Sequence, residues 1–157
     1  MRIFLDTANI DEIRDVARLG VLSGVTTNPT LMAKEGSVPY RDRVIEICQV
    51  VQGPVSAECT ARDLPGLLEE ARSVAGWNQH VVVKVPMDAT GLEATSILSK
   101  EGIKVNMTLV FSANQAALAG AHIATLPYSV FQLMLKHPLT DVGIERFLAD
   151  SRKYAMA

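Results

Sequence analysis

The chain has 157 residues, 48% of them hydrophobic, and a formal net charge of -2. That length and content fit one globular domain, residues 1–157, with a real core, while scattered Lys and Arg in a slightly acidic chain argue against the basic face that a nucleic-acid partner needs. The two cysteines, Cys48 and Cys59, form no CxxC pair, so neither a zinc site nor a disulfide scaffold is expected and a reducing compartment is.

Met1 leads directly into a strand-like pattern, and no apolar run approaches a membrane span, so the expectation is a cytoplasmic protein with neither a signal peptide nor a membrane partner. Ile3 to Leu5 reads as the first strand, ending at Asp6. Thr7 or Asn9 can cap the next helix, whose Ile10, Ile13, Val16 and Ala17 follow helical spacing as far as Gly20. Gly24 to Thr26 is a second strand that runs into Thr27-Asn28-Pro29, where Asn28 suits a helix cap and Pro29 the first helical position. Val38 to Val51 predicts a helix through Val44, Ile45, Cys48 and Val51, broken by Gly53-Pro54. Val55 to Cys59 is a strand containing Glu58. Asp63 opens a helix striped by Leu64, Leu67, Leu68, Ala71 and Ala75.

The run His80 to Pro86 reads as a buried parallel strand, and it places Lys84 among valines. A desolvated lysine is a usable amine nucleophile toward carbonyl substrates. The plainer alternative is a strand-end lysine whose stem packs and whose ammonium reaches water. Asp88 caps a helix over Gly91 to Lys100, and Ile103 to Met107 is a fifth strand, with Asn106 and Thr108 near its end. A sixth strand is expected at His122 to Thr125, then a helix from Pro127 through Leu133 and Leu135. Thr140 would cap a last helix with Ile144, Phe147, Leu148 and Tyr154 in one stripe. Trp77 reads as a loop aromatic packing at the bottom of the sheet. His80, His122 and His137 are dispersed and suggest no ligand cluster. Strands alternating with helices at short intervals predict βα units and a parallel sheet. Polar residues recur at strand C-terminal ends (Asp6, Asn28, Glu58, Lys84, Thr108), which in a parallel barrel is the face where chemistry is built.

Gly24-Val25-Thr26-Thr27-Asn28-Pro29-Thr30-Leu31-Met32, with Leu5-Asp6-Thr7, Val82-Val83-Lys84-Val85-Pro86 and Asn106-Met107-Thr108-Leu109-Val110-Phe111, resembles the transaldolase family, in particular its small-subunit branch that includes the fructose-6-phosphate aldolases. The resemblance implies a (β/α)8 TIM barrel in which Lys84 forms a Schiff base with the donor ketone and Asp6 handles the hydroxyl proton during carbon-carbon cleavage. Glu58 and Thr108 would hold a catalytic water, and Thr26, Asn28 and Asn106 would bind the donor. The aldolase branch has an amide at the Glu58 position, so a glutamate leans toward transfer. No metal or other cofactor is implied, because the iminium does the polarising. The implied activity is transfer of a dihydroxyacetone unit between sugar phosphates, in the non-oxidative pentose phosphate pathway, by a homo-oligomer.

Only six strand candidates are present, whereas a closed barrel has eight and roughly 200 residues or more. The expectation is a barrel truncated to about six βα units, with an internal deletion near 117–121 and a gap or distorted closure between the fifth strand and the strand at His122. The family's phosphate-binding arginines and serines fall in the missing part and map onto neither Arg146 nor Arg152. The alternative function is therefore a catalytically impaired homologue that only associates with other chains.

Overall fold

The computed structural model describes residues 2–36, 38–112, 114–115, 123–124 and 127–134. The chain alternates strand and helix: β1 (Ile3–Asp6), α1 (Ile10–Ala17), β2 (Leu22–Thr26), α2 (Pro29–Met32), α3 (Tyr40–Val51), β3 (Val55–Glu58), α4 (Leu64–Ala75), β4 (Val81–Pro86), α5 (Ala89–Lys100), β5 (Val105–Thr108), β6 (Ile123–Ala124) and α6 (Tyr128–Met134). The six strands form one parallel sheet whose spatial order is the chain order, β1 to β6. This is a truncated barrel of the (β/α) TIM type. Leu135, the ends of the sixth strand and the expected last helix from Thr140 lie outside the described residues.

Local signals set the helix starts. Asn9 caps α1, its Oδ1 accepting from the Asp11 and Glu12 amides, so the choice between Thr7 and Asn9 falls to Asn9. Asn28, Asp63 and Asp88 cap α2, α4 and α5 in the same way, each satisfying an amide that the first turn leaves open. At the far end of α5, Gly102 adopts φ +78°, and Ile103 donates its amide to the Leu98 carbonyl while Gly102 donates to Ser99. This left-handed cap uses the amide of Ile103, which is why β5 starts at Val105 and not at Ile103.

The period-2 alternation of the strands divides the sheet into two unlike faces. Val25, Val55, Ala57, Val83, Val85, Val105 and Met107 are fully buried in one core with Ile13, Val44, Ile47, Leu67, Ala71 and Leu98 from the helices. The α3 face is rotated from expectation: Val44, Ile47 and Cys48 are buried, and Ile45 lies to the side, because positions 44, 47, 48 and 51 keep the helical period and 45 does not. Trp77 lies in the turn between α4 and β4, where it packs on the core as a loop aromatic and meets Tyr40 edge-on, ring centroids 5.7 Å apart, which removes apolar surface from water.

The expected break between the fifth and sixth strands is not there. β6 bonds directly to β5, with Asn106 opposite Ile123 and Met107 opposite Ala124. Among the described residues the unpaired edges are those of β1 and β6. Pairing β6 to β5 satisfies a row of amides and carbonyls that a gap at β5 would leave open.

Candidate active site

The second face of the sheet carries the polar residues. Register aligns Glu58 with Lys84 and Lys84 with Asn106, and in an adjoining row Asp6 with Thr26 and Thr26 with Ser56. Aligned residues in a parallel sheet share a face, as do residues two apart on one strand, so Ser56 and Glu58 belong to the same surface. Ser56 links the rows: its Oγ accepts from Asn106 Nδ2 at 3.0 Å.

Lys84 is inside, with a side chain 6% exposed. Its ammonium lies 3.1 Å from Glu58 Oε2 and donates to the Thr27 carbonyl oxygen at 3.4 Å. An ammonium so enclosed is retained because a carboxylate compensates its lost hydration. The same contact gives the amine a neighbouring acceptor for its proton. The plainer expectation, an ammonium reaching bulk water, does not describe Lys84, and Glu58 is no surface carboxylate.

Asp6 is exposed at the end of the edge strand, where its Oδ1 accepts from the Thr26 hydroxyl at 2.7 Å. Thr108 is buried at the end of β5, in register with Pro86. Asn28 stands apart from these rows: its Oδ1 accepts from the Leu31 amide at 2.9 Å, capping α2. Thus Lys84, Glu58 and Asn106 are brought side by side, Asp6 and Thr26 form a neighbouring pair, and Asn28 has a structural duty.

Three participants receive no site role from the sequence: Ser56, Thr27 and Tyr40. Alternation through Val55-Ser56-Ala57-Glu58 would have put Ser56 on the Glu58 face. Thr27 and Tyr40 carry no such signal, since their roles depend on α3 meeting the ends of β2 and β3. Burial holds the Tyr40 phenol above its ordinary range against the lowering hydrogen bonds to Thr27 and Glu58, so the hydroxyl keeps its proton.

A cleft of about 440 Å³ opens beside Glu58, bounded by Thr60, Arg62, Pro86, Asp88 and Leu109. Glu70 fixes one wall, accepting from the Thr60 and Ala61 amides at 2.9 and 2.8 Å. Cys59, next to Glu58, is no rival nucleophile: burial first, then the charges of Glu70 and Glu58, push its thiol up to about 12, and the thiolate is the reactive form. Among the described residues no helix is long and apolar enough to cross a membrane.

Residues 3–119 match the sequence model of the family described as Transaldolase/Fructose-6-phosphate aldolase. The chain is 43% identical over 212 residues to a "Probable transaldolase" of Thermoanaerobacter sp. (strain X514), covering 98% of each chain. A "Probable transaldolase" of Roseiflexus sp. (strain RS-1) is 42% identical over 209 residues, 96% of each. That of Heliobacterium modesticaldum (strain ATCC 51547 / Ice1) is 42% identical over 209 residues, 96% of this chain and 97% of its own. These alignments run well past the 157 residues available here, so within the matched span the relatives carry positions that this chain lacks.

Proposed function

The chain belongs to the transaldolase/fructose-6-phosphate aldolase family, and from that premise we propose that it forms a Schiff base on Lys84 with dihydroxyacetone-type donors, the step through which transfer of a dihydroxyacetone unit between sugar phosphates would run. The observation that carries the reading is the enclosed contact of Lys84 Nζ with Glu58 Oε2 at 3.1 Å. Glu58 takes the ammonium proton, the free amine adds to the donor ketone, and loss of water leaves an iminium that draws electrons from the adjacent carbon-carbon bond. Asp6, oriented by Thr26, accepts the hydroxyl proton as that bond breaks. The enamine left on Lys84 then adds to an acceptor aldehyde, and a water held between Glu58 and Thr108 releases the product. Asn106 and Asn28 are assigned to donor hydroxyls. The setting in metabolism would be a reducing cytoplasm and the non-oxidative pentose phosphate pathway.

We place the missing segment near 117–121. The family match ends at residue 119, and β6 follows β5 in the sheet with no strand between them. The phosphate-binding part of the family's site would go with that segment. Remote phosphate contacts lower the barrier at the reacting carbon, so sugar-phosphate turnover should be far weaker than imine formation.

The test is borohydride reduction in the presence of dihydroxyacetone, followed by peptide mass mapping. The expected result is label on Lys84, lost in Lys84→Met, together with negligible transfer from fructose 6-phosphate. No label on Lys84 would defeat the reading; brisk transfer would mean that phosphate is anchored elsewhere. A second reading, a silent homologue that only associates with other chains, draws support from the unpaired edges of β1 and β6. Absence of label combined with stable self-association would favour it.

A further inference from the structure

The ammonium of Lys84 meets two oxygens, Glu58 Oε2 and the Thr27 carbonyl. One hydroxyl holds both residues that supply them. Tyr40 Oη accepts from the Glu58 amide at 2.7 Å and lies 3.1 Å from Thr27 Oγ1. Direction follows from the other bonds. Thr27 gives its hydroxyl proton to the Ser56 carbonyl at 2.8 Å, which can only accept, so Tyr40 is the donor to Thr27. The chain therefore runs from the Glu58 amide to Tyr40, from Tyr40 to Thr27, and from Thr27 to Ser56.

The reason a side chain is needed here lies in the sheet. The β2–β3 ladder pairs Val25 with Val55 and Thr26 with Ser56, then stops as the chain turns into α2. The next amide on that side of β3 belongs to Glu58, and the backbone of β2 offers it nothing. A buried amide without a partner costs about 1 to 3 kcal/mol; Tyr40, the first residue of α3, fills the place. Trp77 holds the Tyr40 ring edge-on from the other side.

We propose that Tyr40 is a positioning residue for the Lys84 amine, fixing through one hydroxyl the backbone of Glu58 and the side chain of Thr27, and so both oxygens that surround Nζ. The proposal rests on the reading of Lys84 as the reactive amine, but its test needs no substrate. Among the described residues Glu58 is the charged group recorded in contact with Nζ. Loosening it destabilises the ammonium relative to the free amine, so Lys84 should become reactive at lower pH.

The experiment is trace acetylation of the full chain with acetic anhydride across pH, read at Lys84 by peptide mass mapping, in wild type, Tyr40→Phe, Thr27→Val and Thr27→Ser. Tyr40→Phe and Thr27→Val are expected to displace the Lys84 profile downward by about half to one pH unit, roughly 3- to 10-fold more label at a fixed pH on the rising limb. Thr27→Ser keeps the hydroxyl and should follow wild type. If Tyr40→Phe fails to fold, Thr27→Val decides, because it leaves the Tyr40 and Trp77 rings packed. An unchanged profile in either folded variant overturns the proposal. A displaced profile with no dihydroxyacetone-dependent label would support the positioning role while rejecting Schiff-base chemistry, so the two readings fail separately.

Discussion

Thr26 donates its hydroxyl to Asp6 Oδ1 at 2.7 Å across the β1–β2 pair. Asp6 is exposed on an edge strand, so without that bond its carboxylate would sample several rotamers. Thr26→Val removes the bond at constant shape. Borohydride labelling of Lys84 should stay within about twofold of wild type, while aldol addition of dihydroxyacetone to glyceraldehyde falls about tenfold, a fraction of the 10²- to 10⁴-fold that a positioned acid/base supplies. Steady-state rates beside trapping yields check the split; equal losses in both would count against a proton-transfer role for Asp6.

The Lys84–Glu58 pair makes a stability prediction of its own. Glu58→Ala leaves an ammonium that is 6% exposed with the Thr27 carbonyl as its remaining recorded acceptor, at a cost of about 3 to 5 kcal/mol. Lys84→Met combined with Glu58→Leu removes both charges and should be neutral or slightly stabilising. Urea titration of the single and double variants measures the coupling. A double variant as unstable as Glu58→Ala would show that the pair itself holds the fold together.

Much of this was readable in advance, and the limits have physical causes. The caps at Asn28, Asp63 and Asp88, and the burial of Lys84, follow from local rules: a short polar side chain before a helix, and a charge inside a β-branched run. The buried face of α3 follows the helical period of positions 44, 47, 48 and 51, and the late start of β5 depends on α5 claiming the Ile103 amide. Tyr40 lay beyond reach because its partners are one backbone amide, one hydroxyl and one ring, each from a different part of the chain. Sequence could foresee an open sheet from the strand count, but not that β6 would close against β5 and leave β1 exposed.

Alkaline pH should weaken the fold. Burial pushes the Cys48 thiol up to about 11 and, with the charges of Glu70 and Glu58, Cys59 up to about 12 from an ordinary value of 9.0; burial also raises Tyr40 from its ordinary 10.0. Each group is held protonated in the folded state, so its stabilising contribution is complete below its unfolded value and is lost as pH rises through the folded one. Stability should be flat below about pH 8 and then decline as these groups titrate, each pH unit between a group's unfolded and folded values being worth about 1.4 kcal/mol. Urea midpoints between pH 8 and 11 test this, and Cys59→Ser should flatten the decline.

Gly91 sits where α5 starts against the end of β4. A Cβ there would collide with the Pro86 carbonyl oxygen, a backbone atom that cannot swing aside. Gly91→Ala is expected to cost about 3 kcal/mol or more despite the better helix propensity of alanine. A thermal melt within two degrees of wild type would contradict the close approach.

Among the described residues the outer edges of β1 and β6 are unpaired, which predicts association. Backbone groups on an unpaired strand are templates for another strand, and Phe111, Phe131 and Leu133 add exposed apolar surface. Light scattering after gel filtration should give a mass above one chain that grows with concentration. A monodisperse monomer over a hundredfold range would refute it.

Because strand order in space equals strand order in sequence, each βα unit finds its hydrogen-bonding neighbour in the unit made just before it. Sequence separation between contacting segments stays short, which favours rapid folding, and assembly can proceed unit by unit as the chain emerges from the ribosome. Nearest-neighbour construction of this kind is close to that of a linear repeat array. Such an array tolerates a change in the number of its members, since the unit at the break needs only another strand edge to meet, and the helix-covered layer can persist in lineages where the opposite surface has lost its chemistry.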